Sequence, residues 1–220
     1  MQTAPERRRL APAACAQRQL GRLLLLLALP ILLLAPPQAQ AAELRLVGVT
    51  AAGQPPAPEY PVPNDAGMVL YMQRSTNPNT VVYAARFGAD GRLDQKDPIT
   101  AYWRRFNTDG HVKDLSTIER RMAYGVTSSR REPGVFDVRF RAIPDIPLVL
   151  EQRGPGQAVL TFAPKGQAID LTYGYLEVDE SGLIPSVTGI KLFGQRRADG
   201  QPVQVTYSVR RGEITSGANR

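Results

Sequence analysis

Apolar and polar residues alternate along most of the chain with a period of two. Leu44 and Leu46 alternate with Arg45 and Val47. Met68, Leu70 and Met72 share one face, and Val81, Tyr83, Ala85 and Phe87 share another after the turn-rich stretch Ser75–Asn79. Pro98–Phe106, with Tyr102 and Trp103, forms a further run, and Phe136, Val138 and Phe140 alternate with Asp137 and Arg139. Leu148–Glu151, Ala158–Phe162, Ala168–Val178, Val187–Gly194 and Val203–Val209 continue the rhythm. Alternation of this kind predicts half-buried strands. Asp90-Gly91, Asp109-Gly110 and Asp199-Gly200 punctuate them as turns. About ten short strands joined by short connections predict mainly antiparallel pairing. The expected fold is all-β, a barrel or a sandwich. The barrel is preferred, because closure removes exposed edges.

One segment breaks the rhythm. Ser116 and Glu119 have capping-box spacing, Leu115, Ile118 and Met122 fall at i, i+3 and i+7, and Gly125 follows. This predicts one short helix, which must dock to be stable.

The first 41 residues differ in kind. Arg7 to Arg22 make a basic start, Leu23 to Ala35 are thirteen apolar residues broken by Pro30, and Ala39-Gln40-Ala41 offers small residues for cleavage. The order is that of a secretory signal peptide over 1–41, and thirteen residues fall short of the roughly 20 that span a bilayer. Residues 42–67 read as a first strand and an extended linker, with Pro55, Pro56, Pro58, Pro61 and Pro63. Residues 68–210 read as a single β-rich domain and 211–220 as a flexible tail. The expectation is an exported protein, periplasmic or secreted, with no transmembrane segment after cleavage.

Charge and chemistry then narrow the functions. Residues 1–41 carry five arginines against Glu6, so +4 of the formal +7 lies there and only +3 remains. That is modest for nucleic-acid binding, which is not expected. Cys15 is the only cysteine and falls in the leader, so the rest has no disulfide, thiolate or Cys-based metal site. The single histidine, His111, follows a turn, and no Gly-x-Ser-x-Gly elbow is present. The acids near Asp90 and Asp109 do not match a calcium loop. No cofactor or metal is expected.

The chain resembles a bacterial family, the domain of unknown function numbered 4833. The resemblance rests on Tyr71-Met72-Gln73-Arg74-Ser75, Asn77-x-Asn79-Thr80-Val81-Val82-Tyr83 and Asp97-Pro98-Ile99 with Tyr102-Trp103. It continues through Leu115-Ser116-x-Ile118-Glu119-Arg120, Ala123-Tyr124-Gly125 and the closing hairpin Ile190–Val209. It covers about residues 68–210. Glu119 and Arg121 depart from the Gln and Lys of the family pattern. The family has no assigned activity, so no catalytic residue carries over, but its motifs mark candidate ligand-binding residues: Gln73, Arg74, Asn77, Asn79, Trp103, Arg104, Glu119 and Tyr124. Read as a site, they form a pocket where the helix meets the first hairpin. Read as structure, Asn77 and Asn79 shape the turn and Arg74 pairs with Glu119.

Three functions follow as expectations. The first is a non-enzymatic binding module for a small molecule or lipid-like anion, with a pocket of several hundred Å3 reaching Trp103. The second is an interaction or structural domain for another envelope protein. The third is a hydrolase using carboxylates or Arg, which would need titratable groups converging in a cleft.

Overall fold

An alternating strand buries one face only if neighbours also pair its backbone N–H and C=O groups. The computed structural model describes residues 43–52, 60–181 and 186–210. The expected signal peptide, part of the proline-rich linker and the tail lie outside the described residues. The strands are β1 (Glu43–Ala51), β2 (Met68–Arg74), β3 (Asn77–Ala85), β4 (Ile99–Arg104), β5 (Val112–Asp114) and β6 (Val126–Glu132). They continue with β7 (Val135–Phe140), β8 (Leu148–Gly154), β9 (Gln157–Phe162), β10 (Ile169–Asp179), β11 (Ser186–Arg196) and β12 (Pro202–Arg210). Helix α1 is Thr117–Met122. The all-β expectation with one short helix holds.

All twelve strands belong to one curled sheet. Its branching point is β10. One edge of β10 pairs along its length with β11, which continues to β12 and β1. The other edge is shared: Ile169 and Asp170 pair with β9, whereas Tyr173–Leu176 pair with β2. The sheet therefore forks into two arms, β2-β3-β4-β5 and β9-β8-β7-β6. The β2–β10 contact is parallel, the exception to otherwise antiparallel pairing among the described residues. The arms face each other over one core, where the Tyr83 and Phe140 rings lie 4.9 Å apart. Leu70, Val138, Leu150, Leu160, Leu192 and Val205 are among the fully buried residues filling it.

Three expectations need correction. Among the described residues the sheet does not close into a barrel: β1, β5 and β6 each pair on one side only. Sharing the β10 edge makes the arms diverge, and the exposed β5 and the mostly exposed, polar β6 form tolerable edges. These are also the two strands that the alternation did not reveal. Val-Lys-Asp is short, and Val-Thr-Ser-Ser-Arg-Arg-Glu has no apolar face to detect.

The third correction concerns the helix. Leu115 is buried, but Ile118 and Met122 are 75% and 74% exposed. Leu115 precedes the N-cap Ser116, whose backbone is extended, so i, i+3 spacing does not align it with Ile118. The capping box itself is present. Glu119 N–H donates to Ser116 Oγ at 3.2 Å, and Ser116 N–H to Glu119 Oε2 at 2.8 Å.

Candidate functional site

Trp103 organises most of the expected site. It points inward from β4 and is 3% exposed. Its Nε1–H donates to Glu119 Oε1 at 3.1 Å, so one carboxylate both caps α1 and holds the indole. Burial raises the Glu119 pKa, but bonds from the Ser116 backbone and side chain and from Trp103 outweigh it and hold the carboxyl below its ordinary value. Tyr124 meets Trp103 edge-on at 4.9 Å, and the Arg74 guanidinium stacks 5.2 Å above the indole. Such a cation–π contact contributes about 0.5–2 kcal/mol.

Arg74 Nη1 also donates to Tyr124 Oη at 3.5 Å, and Nη2 to Asn77 Oδ1 at 3.3 Å. Asn77 Oδ1 accepts the Asn79 N–H, and Asn79 Oδ1 accepts the Asn107 N–H. Asn77 thus shapes the turn, whereas the Asn79 side chain ties it to the segment after β4. The expected Arg74–Glu119 pair does not form; Trp103 engages both instead.

The other two expected residues make their hydrogen bonds outside this network. Arg104 follows Trp103 on a strand and points to the opposite face. It binds the Asp65 carboxylate at 2.7 Å and Gly110 O at 2.9 Å. Tyr102 Oη donates to the same Asp65, and burial with that bond pushes its pKa up to about 12. Gln73 is fully buried, and its Nε2 donates to Pro61 O. The described end of the proline-rich stretch is therefore bonded onto the outer face of the first arm.

Among the described residues, the space that reaches Trp103 is far smaller than several hundred Å3. The crevice among Gln73, Arg74, Asn79, Trp103 and Tyr124 has essentially no free volume. A cavity of about 220 Å3 lies on the other side of Tyr124. Buried Met72, Tyr83, Phe140, Leu176 and Ile190 form its floor, and half-buried Leu44, Tyr124, Val187 and Val209 form its rim. Met72, Tyr124 and Leu176 are walls of both spaces. Tyr124 was the single expected site residue on this cavity. The others were missed because inward-facing apolar residues read as ordinary core. The available signal was Tyr83, a phenol in an inward register.

A larger space, about 900 Å3, is an open polar groove between Gly88–Gln95 and the β6–β7 turn. Its floor is already paired: Gln152 Nε2 donates to Gly91 O, and Oε1 accepts from Leu93 N–H. His111 pairs locally with Asp109, and the imidazole bond lowers that carboxyl to about 2. Glu151 and Asp170 meet on the outer face, and Arg197 bridges them at 3.1 and 2.5 Å. Among the described residues, no three His, Cys, Asp or Glu side chains form a metal-holding group.

Strand order and cavity together define a class, a forked and curled β-sheet domain with an apolar cavity beside a closed polar cluster. A model of a domain of unknown function (DUF4833) matches residues 70–205, and the chain belongs to that family. No curated protein and no solved structure matches the chain.

Proposed function

We propose that the protein is an exported, non-enzymatic binding module that takes a small, largely apolar molecule or a lipid-like anion into the cavity beside Tyr124. One observation carries the reading. About 220 Å3 beside Tyr124 stays open and is lined mostly by apolar side chains. Unfilled apolar space costs dispersion contacts and destabilises a fold, so a ligand that fills it is favoured. The volume is below the range of drug-sized sites, which fits a small molecule or one short chain. The basic, apolar and small-residue order of residues 1–41 supports export. Among the described residues, no helix is long and apolar enough to cross a membrane.

The eight expected residues enter this reading in different ways. Tyr124 forms the cavity wall. Trp103, Arg74, Glu119, Asn77 and Asn79 hold that wall in place. Gln73 and Arg104 fasten the outer face. The test is a native mass spectrum of the chain purified from its own cells. A bound small molecule, released on denaturation, is expected. Bare protein at all times would contradict the reading.

A second reading, a site for an envelope protein, is favoured by the exposed Ile118–Met122 pair on α1. Photo-crosslinking from position 118 in intact cells would then give one discrete product. Labelling no stronger than from an exposed polar position would dismiss it.

A further inference from the structure

Two phenols stand out in an otherwise apolar cavity. Tyr83 is 1% exposed, lines the cavity, and its hydroxyl makes no hydrogen bond among the described residues. Burial, and secondarily the nearby Tyr124 phenol, push its pKa well up, so it stays protonated and remains a donor. The Tyr124 hydroxyl accepts from Arg74 Nη1. A hydroxyl has one proton and two acceptor lone pairs, so this bond leaves its proton free to donate. Two O–H donors therefore share one region with no protein acceptor assigned to either.

Charge points the same way. Arg74 makes no ion pair among the described residues, and its Nε is buried without an acceptor. Its guanidinium lies within hydrogen-bond reach of the Tyr124 hydroxyl, at 3.5 Å, and is not itself on the cavity wall. A cation behind a donating hydroxyl favours negative charge on whatever accepts from it. No Asp or Glu lines the cavity to compete. Two donors suit the two oxygens of a carboxylate, whereas a phosphate would bring more oxygens than they can satisfy. The remaining walls require an apolar tail.

We infer that the cavity ligand is an apolar monocarboxylate, its carboxylate accepting hydrogen bonds from the Tyr83 and Tyr124 hydroxyls; this rests on the cavity being a ligand site. Arg74 acts as a positioning residue, polarising Tyr124 without needing to touch the ligand.

The chain's only tryptophan, Trp103, contacts Tyr124 and supplies the readout. Ligand-stripped protein is titrated with octanoate, octanol and octylamine, which share a tail and differ in head group. Octanoate is expected to bind at least about tenfold tighter than octanol, as for a hydrogen bond to a charged group, with octylamine weakest. Tyr83→Phe and Tyr124→Phe keep ring shape and are each expected to weaken octanoate about tenfold, while octanol changes less than about threefold. Equal affinity for all three, or an octanoate preference that survives both substitutions, overturns the carboxylate assignment and leaves the cavity reading standing. No saturable response to any of the three overturns the cavity reading itself.

Discussion

Trp103 and the cavity lie on opposite sides of one side chain, Tyr124, and they are built by opposite rules. On the Trp103 side, polar side chains are tied into a hydrogen-bonded network and essentially no free volume is left, although Arg74 Nε and Gln73 Oε1 stay without partners. On the Tyr83 side, the walls are mostly apolar, the Tyr83 hydroxyl makes no hydrogen bond among the described residues, and about 220 Å3 stays open. Polar residues that crowd together in sequence motifs therefore built the scaffold. The space for a ligand was left by residues that look like plain core. A dense polar cluster is obliged to satisfy itself whether or not it binds anything, whereas unfilled apolar volume has no structural purpose.

That contrast can be broken most severely at Gly125, which holds Tyr124 between the two regions. A Cβ there would lie 1.8 Å from Arg120 O, an overlap with backbone that cannot relax cheaply. Gly125→Ala is expected to cost roughly 3–5 kcal/mol in urea unfolding. A loss below about 1 kcal/mol would show that the segment after α1 is not fixed as described.

Truncating the closed side comes next. Trp103→Ala is expected to destabilise by about 3–5 kcal/mol, the cost of emptying a buried aromatic site. Trp103→Phe keeps much of the packing but strands Glu119, and about 2 kcal/mol is expected. If Trp103→Phe unfolds like the native chain, the indole N–H bond contributes little.

A smaller effect appears with pH. The folded Glu119 pKa is lowered, so its contribution is present above the unfolded value and is lost as pH falls through the folded one. Stability of the native chain should therefore drop more steeply below the ordinary carboxylate range than that of Glu119→Gln. Parallel curves for the two in acid titrations of unfolding would remove Glu119 from the account. The smallest effect belongs to the helix surface: Ile118→Lys and Met122→Lys should each change stability by less than about 0.5 kcal/mol. A loss above about 2 kcal/mol would revive the docked stripe.

Period-two alternation was enough to find ten of the twelve strands, because a buried face leaves a mark in sequence. It was blind to β6, which is polar, and to β5, which is three residues long. Ser116 and Glu119 announced the helix start correctly, since capping is local chemistry. The Ile118–Met122 stripe misled, because periodicity tells which residues share a face and not what that face meets. Edge sharing on β10 was illegible: pairing of Tyr173 with Tyr71 joins residues about a hundred positions apart, and nothing in either strand specifies that partner. The same holds for the cavity, whose walls come from β1, β2, β3, β7, β10, β11, β12 and the segment after α1.

The contrast between a closed cluster and an open cavity is tested most directly by filling the cavity. Ala123 is on its wall, and Ala123→Leu adds apolar volume there. Thermal melts of stripped native and Ala123→Leu protein, each with and without a saturating eight-carbon ligand, give the answer. The ligand-free variant should melt about 2–4 °C above the native chain, a gain of roughly 1 kcal/mol. The ligand should raise the native midpoint and leave the variant unmoved. A ligand shift of equal size in both proteins would place binding elsewhere and contradict the account.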